Sequence, residues 1–479
     1  MKRALQSIGF FRHDEALLKK IHQHALDIIE SCGIRFHSDE ALEIWHGCGA
    51  KIDGHLVRVK GDVIEQALKK APRSFVLCSR DGKHDLTVDG KHTYFCQDGC
   101  SALTLDPQTG ARRSSRKEDV EKMALIGDYL ETIDVVSPMV SAQDAPLPAI
   151  QAHELQACFV NSGKHVITVS VSEARQARSQ IDLAAAVAGG KEALRRRPLF
   201  TNVICTISPL TQDPGGIGAA LEFARAGIPA GLYSMATAGV TSPVTLAGTM
   251  AVLNAEVICG LALLQIAVPG CRMFYAGGPA TMDLPTGNYT SSSPEALWLR
   301  LMVAEMANFY SLPSIVGSGA TMSKDLGPQS AWEHALSFLL NSLAGADLLF
   351  GLGLLDGSNL LTYEGLVLDA EIGAIVRRLL SEVDLSDDAF ALDLIKELGP
   401  GGVYIDTMHT VEHMRSALSI PALSNRDSYD QWSRKGALSR VEAARLKTKE
   451  ILETHQPPPL PDDARRAMAE VLAAYEQTS

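Results

Sequence analysis

The stretch "PAGLYSMATAGVTSPVTLAGTMAVLNAEVICGLALLQIAVPGCRMFYAG", residues 229–277, contains one complete unit of the fold. An apolar run of strand length, "PAGLYSMA", leads through small and hydroxylated residues into a long apolar helix, and a second run, "RMFYAG", follows. Ser242 and Pro243 suit a helix start, because serine can cap free backbone N–H groups and proline fits the first turn. Ala247, Ala251 and Ala255 fall at i, i+4 and i+8, a narrow face that lets the helix lie close against a sheet. Glu256 sits deep inside that apolar helix, and its role is the question the stretch raises. Asn254, Glu256 and Gln265 interrupt the apolar run, so it reads as a buried helix rather than a membrane span.

The same grammar repeats on both sides. Apolar runs at 135–140, 165–172, 199–208, 229–236, 272–277, 314–319, 347–353 and 402–407 alternate with segments of helical spacing, at intervals of about 30–45 residues in most cases. Strands that are apolar throughout are buried on both faces and hence parallel; eight of them joined by helices predict a (β/α)8 TIM barrel in the α/β class. An open doubly wound sheet is the competing architecture. Before the barrel, residues 1–125 read as a mixed α+β extension with short strands such as "HTYFCQDG". The barrel is expected over 126–410 and a helical C-terminal extension over 411–479.

Composition restricts the function. The 479 residues are 46% hydrophobic and 21% charged with a net charge of −12, which argues against a nucleic-acid or anionic-membrane surface. Nine scattered cysteines, an odd number, speak against a secreted disulfide framework and for a reducing compartment. "MKRALQSIGFFRHDEALLKK" has no continuous apolar core of the signal-peptide kind. The expected location is the cytoplasm.

Motifs for familiar chemistries are missing. "GLGLLDG" and "PGGIGAAL" lack dinucleotide-fingerprint spacing, and there is no P-loop, serine nucleophile elbow or H-E-x-x-H. His92, Cys96 and Cys100 are spaced by four, but on strand and turn, and no C-x-x-C exists; buried cysteines acting as small hydrophobes are the plainer reading. His409 and His413 share a helical face without a third ligand, so no metal is expected. "SGATMSKDLGPQSAWEH" places Thr321 and Lys324 in a polar loop after a strand, where barrel enzymes keep functional groups.

Taken together, the ordered segments "ALEIWHGCGAKIDG", "LDPQTGARRSSRKEDV", "SPVTLAGTMAVLNAE", "NYTSSSPEALW", "SKDLGPQSAWEHAL", "LAGADLLFGLGLLDG", "HTVEHMRSAL" and "RDSYDQWSRKGA" resemble the trimethylamine:corrinoid methyltransferase family over nearly the whole chain. The resemblance implies a TIM barrel that moves a methyl group from a methylated amine to the cob(I)alamin of a separate corrinoid protein. All residues are standard, so the chain resembles the branch without pyrrolysine, whose members act on quaternary amines such as glycine betaine. Phe350 aligns, within a residue or two, with the pyrrolysine position.

No corrinoid is expected to be bound by this chain, which lacks a cobalt-ligating D-x-H-x-x-G motif. The expected partners are a small methylated amine such as a betaine, the corrinoid protein, and further copies of the chain through its helical tail. A quaternary ammonium is already an activated methyl donor, so the protein need only orient it and stabilise its charge, which aromatic faces do. Phe350, Tyr94, Phe95 and Tyr275 are the candidate cage aromatics. Gln97 and Asp98 are neighbouring polar candidates, and His409 and Lys324 are donors for a substrate carboxylate. No catalytic residue can be assigned from the sequence. A metal-dependent barrel enzyme and a non-catalytic amine-binding protein are the alternatives.

Overall fold

In the computed structural model, which describes residues 5–6, 14–99, 101–107, 109–169 and 171–477, eight parallel strands close into a barrel. They are β1 (His92–Gln97), β2 (Ile133–Val136), β3 (His165–Val169), β4 (Phe200–Ile207), β5 (Ala230–Ser234), β6 (Met273–Gly277), β7 (Ser314–Gly317) and β8 (Leu348–Leu352). The β8–β1 pairing, with Phe350 opposite Cys96, closes the ring. Helices α1 (Lys117–Tyr129), α2 (Ile150–Asn161), α3 (Ala174–Ala188), α4 (Pro214–Ala226), α5 (Leu246–Ala267), α6 (Pro294–Tyr310), α7 (Pro328–Leu343) and α8 (Tyr363–Leu379) follow the strands in turn.

Seven of the eight expected strands are present. The remaining one is a correction: the barrel begins with His92–Gln97, well before residue 126, and residues 402–407 form no strand. "HTYFCQ" is buried from Thr93 onward and fills the gap between β8 and β2. Val403, Tyr404 and Ile405 have strand-forming side chains, but the closed ring leaves them no neighbour, and they are exposed.

Alternation along each strand divides two cores. Tyr94, Cys96, Val135, Ile167, Val203, Tyr233, Phe274, Ile315, Leu348 and Phe350 cluster inside the barrel. A hairpin of Phe75–Leu77 and Leu86–Val88 plugs its N-terminal end, with the Phe75 ring 5.1 Å from that of Phe274. The outward-facing side chains join the helices in the larger core.

Helix α5 is long and apolar enough to cross a membrane, but it is packed between the barrel and the N-terminal helices Glu15–Ser31, Asp39–Gly47 and Gly61–Leu68. It starts at Leu246, with Thr245 as its N-cap residue, later than Ser242–Pro243 suggested. The Ser242 hydroxyl instead lies 3.0 Å from that of Thr249, which donates to the Pro243 carbonyl. Glu256 is fully buried and accepts from the Thr206, Ser208 and Ser234 hydroxyls and the Leu210 N–H at 2.7–2.8 Å. The carboxylate therefore ties α5 to the ends of β4 and β5. Burial raises its pKa against the pull of those donors.

After α8 come the helices α9 (Met408–Ala417), α10 (Arg440–Thr454) and α11 (Asp462–Glu476). Helix α10 packs on α8 and α1, and α11 packs on α3, burying Ala444, Ile451, Met468 and Leu472.

Candidate active site

The C-terminal ends of the strands form an open mouth, walled by two small sheets raised on the loops. One pairs Thr237–Ala238, Ala280–Met282 and Tyr289–Thr290; the other pairs Leu354–Leu355, Leu360–Leu361, Leu103–Leu105 and Arg112–Ser114.

Tyr233 and Phe350 lie at the floor of the mouth. Tyr233 projects inward from β5 over two glycines. A β-carbon at Gly278 would fall 2.1 Å from the Tyr233 hydroxyl oxygen, and one at Gly317 would fall 2.2 Å from it, so only glycine leaves room. Gly317 is the ladder partner of Phe350. The two rings are thus neighbours across Gly317, each with a small part of its surface open, 9% and 7%. Cys205, the ladder partner of Tyr233, opens onto the same mouth. The thiol is reachable yet deep, and burial pushes it up to about 11, so it stays protonated at neutral pH.

Two charged groups complete the floor. Asp98 follows β1, with its backbone N–H on the Leu352 carbonyl and its carboxylate 3.2 Å from the Ser358 hydroxyl. Burial pushes the carboxyl up to about 6, against the Gly99 N–H, Ser358 and the positive field of Arg300. Arg300 comes from α6 and is 4% exposed; it donates Nε to the Pro279 carbonyl at 3.2 Å and Nη1 to that of Gly317 at 3.1 Å. Both of these bonds go to neutral oxygens, and the Tyr289 phenol faces the same guanidinium. This buried cation, bonded to two carbonyls and the Tyr289 phenol and facing Asp98, is placed to meet a further anionic group.

The expected site residues disperse. Phe350 and Asp98 meet at the mouth. Tyr94 is inside the barrel but points to the plug, its hydroxyl on the Thr87 carbonyl at 2.9 Å. Phe95 faces the helices, against Phe338 and Arg377. Gln97 also faces outward, bridging the Met123 carbonyl and the Ser137 N–H, and Tyr275 donates to Asn254. Thr321 and Lys324 brace the loop above the mouth: Thr321 donates to Glu333 at 2.5 Å, and Lys324 is 3.1 Å from Asp356 and largely exposed. His409 lies on α9, its ring 4.3 Å from that of His413 and tilted by 33°, and lines a surface pocket with Arg378, at the end of α8.

His92 bonds to Asp89, and Cys100 falls outside the described residues. Among the described residues no group of three or more His, Cys, Asp or Glu is arranged to hold a metal ion. Tyr233, Arg300, Cys205 and Tyr289 escaped the sequence reading. Arg300 had left a signal, a lone arginine within the apolar helix "PEALWLRLMVAEM".

Neighbouring aromatic faces, a buried carboxyl group and an arginine lie at the C-terminal end of a (β/α)8 barrel, the face on which enzymes of the barrel class carry their active sites. The chain belongs to the trimethylamine methyltransferase (MTTB) family, whose model matches residues 3–478, and it is a methyltransferase. It is 32% identical over 474 residues to trimethylamine methyltransferase MttB of Desulfitobacterium hafniense (strain DSM 10664 / DCB-2), covering 98% of this chain and 95% of that protein. It is 29% identical over 448 residues to the glycine betaine methyltransferase of strain Y51 of that species, covering 93% of each. The fold resembles the crystal structure of Methanosarcina barkeri monomethylamine methyltransferase, with a TM-score of 0.54 at 13% identity over 94% of this chain and 89% of that one.

Proposed function

We propose that this enzyme moves a methyl group from a quaternary amine that also carries a carboxylate, a betaine, to the corrinoid of a separate protein. The observation that carries the reading is the juxtaposition around Gly317: Tyr233 above it, Phe350 beside it on the ladder, and Arg300 on its carbonyl. Rings on one side of a peptide unit and a guanidinium on the other match an ammonium and a carboxylate separated by a short carbon chain.

The corrinoid supplies a cobalt(I) nucleophile that accepts the methyl group. The rim offers apolar contact to the face of a macrocycle: Ile207 at the end of β4 and Met235, Val240 and Val244 on the loop after β5 expose apolar side chains. Within the chain, Phe350 and Tyr233 hold the trimethylammonium by cation–π attraction, worth ~0.5–2 kcal/mol per ring. Asp98, when ionised, adds charge complementarity, and Arg300 fixes the carboxylate so that one N–CH3 bond points out of the mouth. The nitrogen keeps the bonding electron pair as that bond breaks and leaves as a neutral tertiary amine. No group has to remove a proton for this step. The described cysteines are free thiols, which suits the reducing cytoplasm.

The test is incubation of the purified chain with cob(I)alamin and a panel of quaternary amines, followed by mass spectrometry. The expected result is loss of one methyl group from carboxylated members of the panel. Absence of transfer from every member, with the chain folded, overturns the reading.

A further inference from the structure

Beside the mouth, α6, α7 and the loops that precede them enclose a groove of about 960 Å³. Trp298, Trp332 and Leu336 give it apolar sides, and Asp283, Lys324 and Glu333 bring charges of both signs to its lining. Tyr233, Phe350, Asp98 and Arg300 do not line it, so the groove is a space distinct from the floor of the mouth.

A thin wall separates the two. Tyr289 and Met322 line the groove, and the Tyr289 phenol bonds on its other side to the Arg300 guanidinium. Gly357 completes the wall: a β-carbon there would lie 3.2 Å from the Met322 sulfur and 3.6 Å from the Tyr289 ring. The next residue, Ser358, is bonded to Asp98. One layer of side chains therefore stands between the groove and the two charged groups of the floor.

That layer is built to move. Met322 is an unbranched side chain, and its sulfur has only a weak contact, 3.7 Å from the Ser291 hydroxyl. Tyr289 lies on a two-residue strand at the edge of its small sheet, and neither residue is fully buried.

A second way to the floor has a use on the betaine reading given above. The corrinoid meets the methyl group from the mouth, so the demethylated amine forms beneath it. A route through the mouth opens only after the corrinoid has left. Two indoles and charges of both signs suit a small amine that carries a carboxylate.

Resting on that reading, we propose that the groove is a side passage for the amine, with Tyr289 and Met322 as its gate. The substrate enters and the demethylated amine leaves by it while the mouth stays covered.

The test follows release of a bound amine rather than turnover. The full chain is loaded with radiolabelled glycine betaine, covered with excess methylcobalamin, which takes up no methyl group, and chased with unlabelled betaine. Methylcobalamin should slow release from the wild type by less than about twofold. Leu336→Trp with Ser292→Trp fills the groove outside the gate. Release from that variant should be ~10-fold slower under methylcobalamin and close to the wild-type rate without it, which also shows that the floor is intact. Met322→Ala widens the gate and should speed release under methylcobalamin ~threefold or more. Slow release from the covered wild type, or a filled groove that changes nothing, overturns the passage and leaves the betaine reading standing. If the double variant does not fold, a Met322→Ala chain that releases no faster overturns the passage by itself. A folded wild type that binds no glycine betaine strikes the betaine reading and the passage with it.

Discussion

Phe350→Leu separates a cage ring from a packing ring. Phe350 is inside the barrel with only 7% of its surface open, and leucine keeps its hydrophobicity and most of its volume. The expected loss of stability is below ~1.5 kcal/mol. If the ring faces the ammonium, removing its π face costs ~0.5–2 kcal/mol of binding, a two- to thirtyfold weaker affinity. Calorimetric titration with glycine betaine and with tert-butylacetate, its uncharged-carbon analogue of the same shape, reads the two contributions separately. Both ligands carry the carboxylate for Arg300, so only the cation-specific part differs. The betaine affinity should fall by the full factor and the analogue's by less than about twofold. Equal losses for both ligands, or no loss for either, refute the assignment of Phe350 to the cage.

Arg300→Met removes the charge facing the substrate carboxylate; betaine affinity should fall ~10- to 150-fold while tetramethylammonium changes less than ~threefold, read by the same titration. Glu256→Gln leaves donors from β4 and β5 without a carboxylate and should cost ~2–4 kcal/mol in denaturant unfolding; a loss below ~0.5 kcal/mol would contradict the anchoring role. Asp98 titrates at about 6 in the fold against an ordinary 3.8, so its protonated form is favoured by folding and that contribution is lost as pH rises from about 4 to above 6. A bound cation offsets the loss, so the rise in Tm with glycine betaine should be larger at pH ~7.5 than at pH ~5, and Asp98→Asn should remove the difference.

The sequence by itself determined the barrel. Strands buried on both faces must be apolar throughout, and helices lying on them must show a 3.6-residue stripe, so seven strands from "VVSPMV" to "DLLFGLG" were legible as local patterns. The trimethylamine methyltransferase resemblance was legible for a similar reason, since it is spread over ordered segments of the whole chain. Closure was not legible: whether "HTYFCQ" or "GVYIDT" completes the ring depends on which segment finds two free ladder edges, and both have strand-forming side chains. The site was half legible. Phe350 and Asp98 occupy strand ends, whereas Phe95 and Gln97 on the same strand face outward because side chains alternate, and one register step decides which residues see the lumen.

Tyr233 and Arg300 belong to the mouth only because two glycines on neighbouring strands leave room for a phenol and expose a carbonyl to a helix 17 residues before its own bonding partner. Glu256 shows the same division. Its burial could be read from the apolar helix around it, but its four donors come from β4, β5 and the loop between, and only the packed barrel brings them to one carboxylate. Local pattern is set by short-range sterics and burial; the meeting of distant polar groups is set by register and closure, which no single segment encodes.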